Sequence, residues 1–134
     1  MAQELAIGSK GQFTKTVTES DVNLFAGITG DFYDVHVNEE FARKTQFGGR
    51  IAHGAYSVGL VSAAVSRLLA LAGVTGYPVG YDVKFTGPIK LGDTVTTEVT
   101  TEEALGEGRY RLTVNCVNQS GVRILKGETV AQVL

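Results

Sequence analysis

The stretch GDFYDVH at 30–36 sets two carboxylates, Asp31 and Asp34, a few positions ahead of His36, one of only two histidines in the chain. A carboxylate and an imidazole that share one water molecule can move its protons, which is general acid–base chemistry. The five-residue spacing between Asp31 and His36 turns their side chains about 140° apart on an α-helix and puts them on opposite faces of a strand. Neither regular element makes them converge. They meet only where the chain loops, and Gly30 supplies a residue that turns at little steric cost. The spacing by itself recurs by chance in a chain of this composition, so its surroundings must decide between a water-handling pair and a polar surface turn.

A second glycine-rich segment, FGGRIAHG at 47–54, runs directly into a long apolar stretch. Gly54 and the residues after it then form a helix N-terminus, whose unpaired N–H groups and positive dipole end can hold a carbonyl oxygen or an oxyanion. A carbonyl bound there lies beside an apolar, small-residue helix, which suits an acyl chain with a polar head. His53 reads as a capping or packing residue at that entry. Asp31, Asp34, His36 and His53 also offer the donor types of a two-histidine, one-carboxylate metal site. That reading would use every histidine in the chain, and with no HxxxH, HxH or cysteine pairing the expectation is no metal. GxSxG elbow, phosphate loop and dinucleotide fingerprint are all missing from the sequence, so no cofactor is expected.

Several elements must position these groups. GQFTKTV at 11–17 alternates like a first strand. Thr18 and Asp21 form a capping pair with Asp in place of Glu, and Val22, Leu24, Phe25 and Ile28 continue as a short helix to about Thr29. Asn38 caps a second short helix, Glu39 to Lys44, so GDFYDVH lies in a loop between two helices. Residues 55–72, AYSVGLVSAAVSRLLALA, carry one charge, Arg67, and as a helix span roughly 27 Å. A helix apolar almost all round is expected to be enclosed by protein, and Gly59, Ser62, Ala63 and Ala64 would let a sheet or a partner chain approach closely. After Gly76 the pattern changes to four strand-like runs, at 77–89, 93–105, 108–119 and 121–134. Turn residues separate them, which predicts successive antiparallel hairpins. Val95, Thr97, Val99 and Thr101 fall on one face of a one-sided sheet. The sum is an α+β domain, an antiparallel sheet of about five strands curved around one long helix.

Length and composition agree with one domain over 1–134, large enough to bury a core without disulfide or metal staples. Gly makes up 17 of the 134 residues, nearly double ordinary usage, in keeping with many tight turns. Net charge is −2 and the Lys and Arg are scattered, which argues against nucleic acid as a partner. No signal peptide is apparent at MAQELAIGSKGQF, and the most apolar window, around LLALAGV, falls short of a membrane span. A cytoplasmic protein is the default. Cys116 sits in the alternation Leu112, Val114, Cys116 and is expected in a buried strand.

TGDFYDVHVNEEFA, then FGGRIAHG with its apolar helix, then KFTGPIKLGDTV, resemble the MaoC-like hydratases, which include the (R)-specific enoyl-CoA hydratases. The resemblance covers nearly the whole chain. It is specific at GD followed after four residues by His, at the IAHG helix entry and at the F-x-x-P-x-x-x-G-D strand pair. It implies the hot dog fold, a sheet wrapped around one long helix, assembled as a homodimer whose sheets join edge to edge. It makes Asp31 and His36 the catalytic pair and the Gly54 N–H the thioester oxyanion donor. The implied reaction is reversible addition of water to a trans-2-enoyl thioester, on CoA or on acyl carrier protein, giving the (R)-3-hydroxyacyl product. An acyl-thioester hydrolase and a non-catalytic acyl-thioester binding subunit are the alternatives on the same scaffold. The chain departs from the family in mid-loop, where Tyr33 and Asp34 stand in place of a common Asn-Pro. The change frees a backbone torsion, adds a carboxylate that competes for the hydrogen bond of His36 and puts a ring where substrate choice is made.

Overall fold

The computed structural model describes residues 4–134. Its elements run β1 (Lys10–Thr16), α1 (Glu19–Thr29), α2 (Asp34–Val37), α3 (Glu39–Arg43), α4 (Gly54–Ala72), β2 (Gly76–Phe85), β3 (Thr94–Gly106), β4 (Arg109–Val117) and β5 (Arg123–Val133). The five strands form one antiparallel sheet in the order β1-β3-β4-β5-β2. Helix α4 packs across it against β1, β2 and β3, which is the hot dog architecture.

The capping pair forms as its sequence requires. Thr18 accepts from the Asp21 amide at 3.1 Å and Asp21 Oδ2 accepts from the Thr18 amide at 3.0 Å, so the first turn of α1 satisfies its own donors. Asn38 caps α3 in the same sense, its side chain accepting from the Phe41 amide. In β3 the residues Val95, Thr97, Val99 and Thr101 are buried while Thr94, Thr96, Glu98 and Thr100 face partly outward, as the alternation predicts. Cys116 is fully buried on β4 beside Thr97. Burial pushes its thiol above the ordinary range, partly offset by the hydrogen bond with Thr97.

Three expectations change. The run beginning at Tyr77 does not form a hairpin with the next one: β2 pairs with β5 at one edge, and β1 takes the free side of β3 at the other. Gly92 donates to Val17 O and Val17 donates to Asp93 O, so the turn at 92–93 welds β1 to β3 rather than joining β2 to β3. Strand alternation encodes which face is buried but not which strand lies beside it. Second, α4 buries one face, with Leu60, Val61, Ala64, Val65 and Leu68 inside and Leu71 81% exposed. One sheet can cover only one side of a helix. Third, α4 has 19 residues at a mean hydropathy of 1.6, long and apolar enough to cross a membrane on those two counts. Its buried stripe against the sheet instead makes it the core helix of this domain.

The close approach of α4 to the sheet is permitted by a glycine on the strand. A Cβ at Gly11 of β1 would run into Ala64 O and come within 2.7 Å of Leu68 Cβ, whereas a Cβ at Gly59 would meet nothing within 4 Å. Gly11→Ala is therefore expected to cost about 1–3 kcal/mol by overpacking. Gly59→Ala should gain about 0.5–1 kcal/mol from helix propensity. Urea denaturation of both variants checks the opposite signs. Asp21 is the second test. Burial would raise its carboxyl, but the Thr18 amide and Lys15, 3.3 Å away, outweigh burial and hold it below the ordinary 3.8. A depressed folded value means stability that is present above 3.8 and lost as pH falls through the folded value. Asp21→Asn should lower Tm at neutral pH, with the gap to the parent closing in acid below pH 3.8.

Candidate active site

Helix α1 ends at Gly30, whose left-handed conformation (φ 85°) returns the chain while its N–H bonds Ala26 O. Asp31 follows, and its Oδ1 accepts from the Tyr33 amide at 3.3 Å, a local turn that aims the carboxylate. The loop expected here contains a single helical turn, α2, with His36 inside it. Tyr33 occupies the N-cap without a side-chain cap bond and Asp34 is the first helical residue. Those are the positions that favour Asn and Pro respectively, so the departure from the family's Asn-Pro removes one cap. Asp34 still suits the start of the turn, because a carboxylate there faces the positive end of the backbone dipole. It does not compete for His36. The imidazole Nδ1 bonds Ile51 O at 2.9 Å instead.

The segment 50–52 holds α2 from several directions. Ile51 donates its amide to Val35 O at 3.2 Å, Arg50 Nε donates to His36 O at 2.7 Å, and Ile51 O receives the His36 ring. Arg50 also reaches Glu19 Oε1 at 2.7 Å and Asn23 Oδ1 at 3.2 Å, tying α1 to the same point with its own side chain only 10% exposed. On its far side the segment meets the β2–β3 connection, with Ala52 donating to Ile89 O and a bridge between Ile51 and Lys90.

His53, expected as a capping or packing residue, belongs to the site. It stands at the N-cap of α4 but makes no side-chain cap bond. Its Nε2 bonds the backbone carbonyl of Asp31 at 2.9 Å, and its ring stacks on His36 with centroids 3.9 Å apart and 26° between planes. Phe25 packs on its ring as well, centroids 4.7 Å apart. A carboxylate oxygen of Asp31 and one ring nitrogen from each histidine thus lie within 4.8 Å of one another, while Asp34 stands outside the group. The sequence signals for His53 were the helix-entry position of IAHG and its place among the possible donors with Asp31 and His36.

The tautomers follow from the partners. A carbonyl oxygen only accepts, so His36 carries its proton on Nδ1 and His53 on Nε2. Among the described residues His36 Nε2 has no hydrogen-bond partner. His53 Nδ1 is buried without one, a state that costs about 1–3 kcal/mol. A gap of at most 4.8 Å between carboxylate and imidazole admits one water hydrogen-bonded to both.

Gly54 begins α4, and among the described residues its N–H has no hydrogen-bond partner. It borders a cavity of about 380 Å³ whose wall includes Phe47, Ile51, His53, Phe85 and Ile124 together with the connection 86–89. A Cβ at Gly54 would stand 3.3 Å from the Phe85 ring, so the glycine keeps the mouth open. Asp31 and His36 are not in the cavity wall. His53 and Gly54 join the polar group to it.

A family model described as "MaoC like domain" matches residues 3–120. This chain belongs to the MaoC-like family. The (R)-specific enoyl-CoA hydratase of Rhodospirillum rubrum is 34% identical over 131 residues, covering 98% of this chain and 90% of that protein. The 3-hydroxybutyryl-CoA dehydratase of Methylorubrum extorquens is 36% identical over 132 residues, covering 98% and 82%. Among solved structures, the unliganded R-hydratase PhaJ1 of Pseudomonas aeruginosa superimposes with a TM-score of 0.87 at 36% identity, over 97% of this chain and 83% of that one. The MaoC-like chain is accordingly a hydro-lyase with the hot dog fold.

Arg50 tests the clamp directly. Arg50→Met keeps the buried stem and removes the donors to His36 O, Glu19 and Asn23. The expected loss is about 1–3 kcal/mol, since acceptors are left unpaired. It is read by urea denaturation, alongside a fall in turnover as His36 loses its backbone anchor.

Proposed function

We propose that this chain is an (R)-specific enoyl-CoA hydratase that reversibly adds water to trans-2-enoyl-CoA. The observation that carries the reading is the Asp31 carboxylate and the His36 ring nitrogen on one water-sized gap, joined through His53 and Gly54 to an apolar cavity. The thioester oxygen accepts from the free Gly54 N–H, where the negative charge of the enolate develops. Asp31 takes a proton from the bound water as its oxygen attacks C3, and His36 Nε2 holds the same water and shares in the transfer. The pair then returns one proton to C2, so one O–H bond and the C2=C3 π bond break while a C3–O and a C2–H bond form, and the two residues end as they began. No metal or other cofactor enters any step. The exposed apolar residues Tyr77, Tyr81 and Phe85 on the unpaired edge of β2 support assembly of two copies edge to edge.

Purified protein is expected to hydrate crotonyl-CoA or a longer trans-2-enoyl-CoA, with chiral chromatography identifying the (R)-3-hydroxyacyl product. Asp31→Asn and His36→Gln should each lower kcat by about 10²–10⁴-fold while the melting transition persists. Release of free CoA thiol in place of hydration would instead identify a thioesterase. Binding of enoyl-CoA without turnover would identify a non-catalytic subunit.

A further inference from the structure

We infer that His53 is a positioning residue that sets the Asp31 carboxylate against His36. The inference rests on the hydratase reading above and goes beyond it, since it gives a role to a side chain that contacts the Asp31 backbone and the His36 ring.

The two members of the pair are held by different parts of the chain. His36 is fixed by the clamp from Arg50 and Ile51. Asp31 has no such anchor. Residues 30–33 are all exposed, and their own hydrogen bonds are local: Gly30 N to Ala26 O, Asp31 N to Thr29 Oγ1, Phe32 N to Gly30 O and Tyr33 N to Asp31 Oδ1. Among the described residues, the one non-local hydrogen bond to this segment is the His53 Nε2–H to Asp31 O, at 2.9 Å. His53 is itself only 1% exposed and wedged between the rings of Phe25 and His36. The residue that stacks on the imidazole therefore also holds the peptide carrying the carboxylate, so the separation of the two groups passes through one buried ring.

The unpartnered Nδ1 supports a functional reason for keeping histidine here. An apolar ring would pack between Phe25 and His36 without an orphaned polar atom, and stability alone favours it. What an apolar ring cannot supply is the donor to Asp31 O. A displacement of about 1 Å in such a pair is enough to cost roughly 10²-fold in rate.

Gln and Met separate the donor from the packing, because they have similar volume and Gln Nε2 stands as many bonds from Cβ as histidine Nε2. The expected result is that His53→Met lowers kcat by about 10–100-fold with KM little changed, and that His53→Gln recovers at least about tenfold of the loss. Equal kcat in the two variants, or wild-type kcat in the Met variant, overturns the inference. Hydrogen exchange at the amides of Phe32 and Tyr33 gives a readout that needs no activity: it should quicken in the Met variant and stay near the parent rate in the Gln variant. Unchanged exchange in the Met variant also overturns the inference. If the parent protein has no hydratase turnover, the reaction reading fails by itself, and the exchange comparison still decides whether His53 holds the segment.

Discussion

The structure around the candidate site depends on a three-residue extended stretch, Arg50 to Ala52, that is hydrogen-bonded on both sides. Toward α2 it satisfies the carbonyls of Val35 and His36 and takes the His36 ring proton, and toward the β2–β3 connection it pairs with Ile89 and Lys90. A one-turn helix has little stability of its own, since nucleation fixes several torsions for one internal hydrogen bond. External partners for two of its carbonyls replace the ladder it is too short to build. The same stretch leads straight into α4, so the orientation of His36 and the start of the core helix are fixed by one piece of backbone.

Much of this was legible in the chain. The Thr18–Asp21 cap, the Asn38 cap, the long helix ending at Ala72 and the inward face of β3 follow from short-range rules and appear where those rules put them. What was not legible depends on partners distant in sequence. The alternation in residues 77–85 reports a strand, yet nothing local says that it must lie beside β5. His53 looked like a capping or packing residue because its two polar relationships run to positions 22 residues before it and to a ring 17 residues before it. The α2 turn was hidden for a related reason: Tyr33 is a poor cap, and the turn's own two backbone bonds are supplemented from 50–51.

The Tyr33–Asp34 departure also takes on a definite meaning. These two residues form the N-cap and first position of α2, so an Asn-Pro pair there is a backbone device and not a chemical one. This chain replaces the cap with the Asp31 turn to the Tyr33 amide and with the clamp behind it. The Tyr33 ring, 63% exposed, rests edge-on against His36 and tilts toward Phe41. The substitution is thus absorbed by the helix start while its side chain borders the histidine.

The cavity draws part of its wall from a region of the chain that gives nothing to the proton-handling group. Asp31, His36 and His53 come from the segment before α4, whereas Phe85, residues 86–89 and Ile124 close the cavity from the sheet side. Ile51, His53 and Gly54 serve both, Ile51 by lining the cavity and anchoring the His36 ring. A lineage can therefore trade Phe85 or Ile124 for a smaller or larger side chain and change the volume offered beyond Gly54 without moving the carboxylate or the imidazole. Pocket size and proton transfer are separable traits in this fold, and they can drift independently.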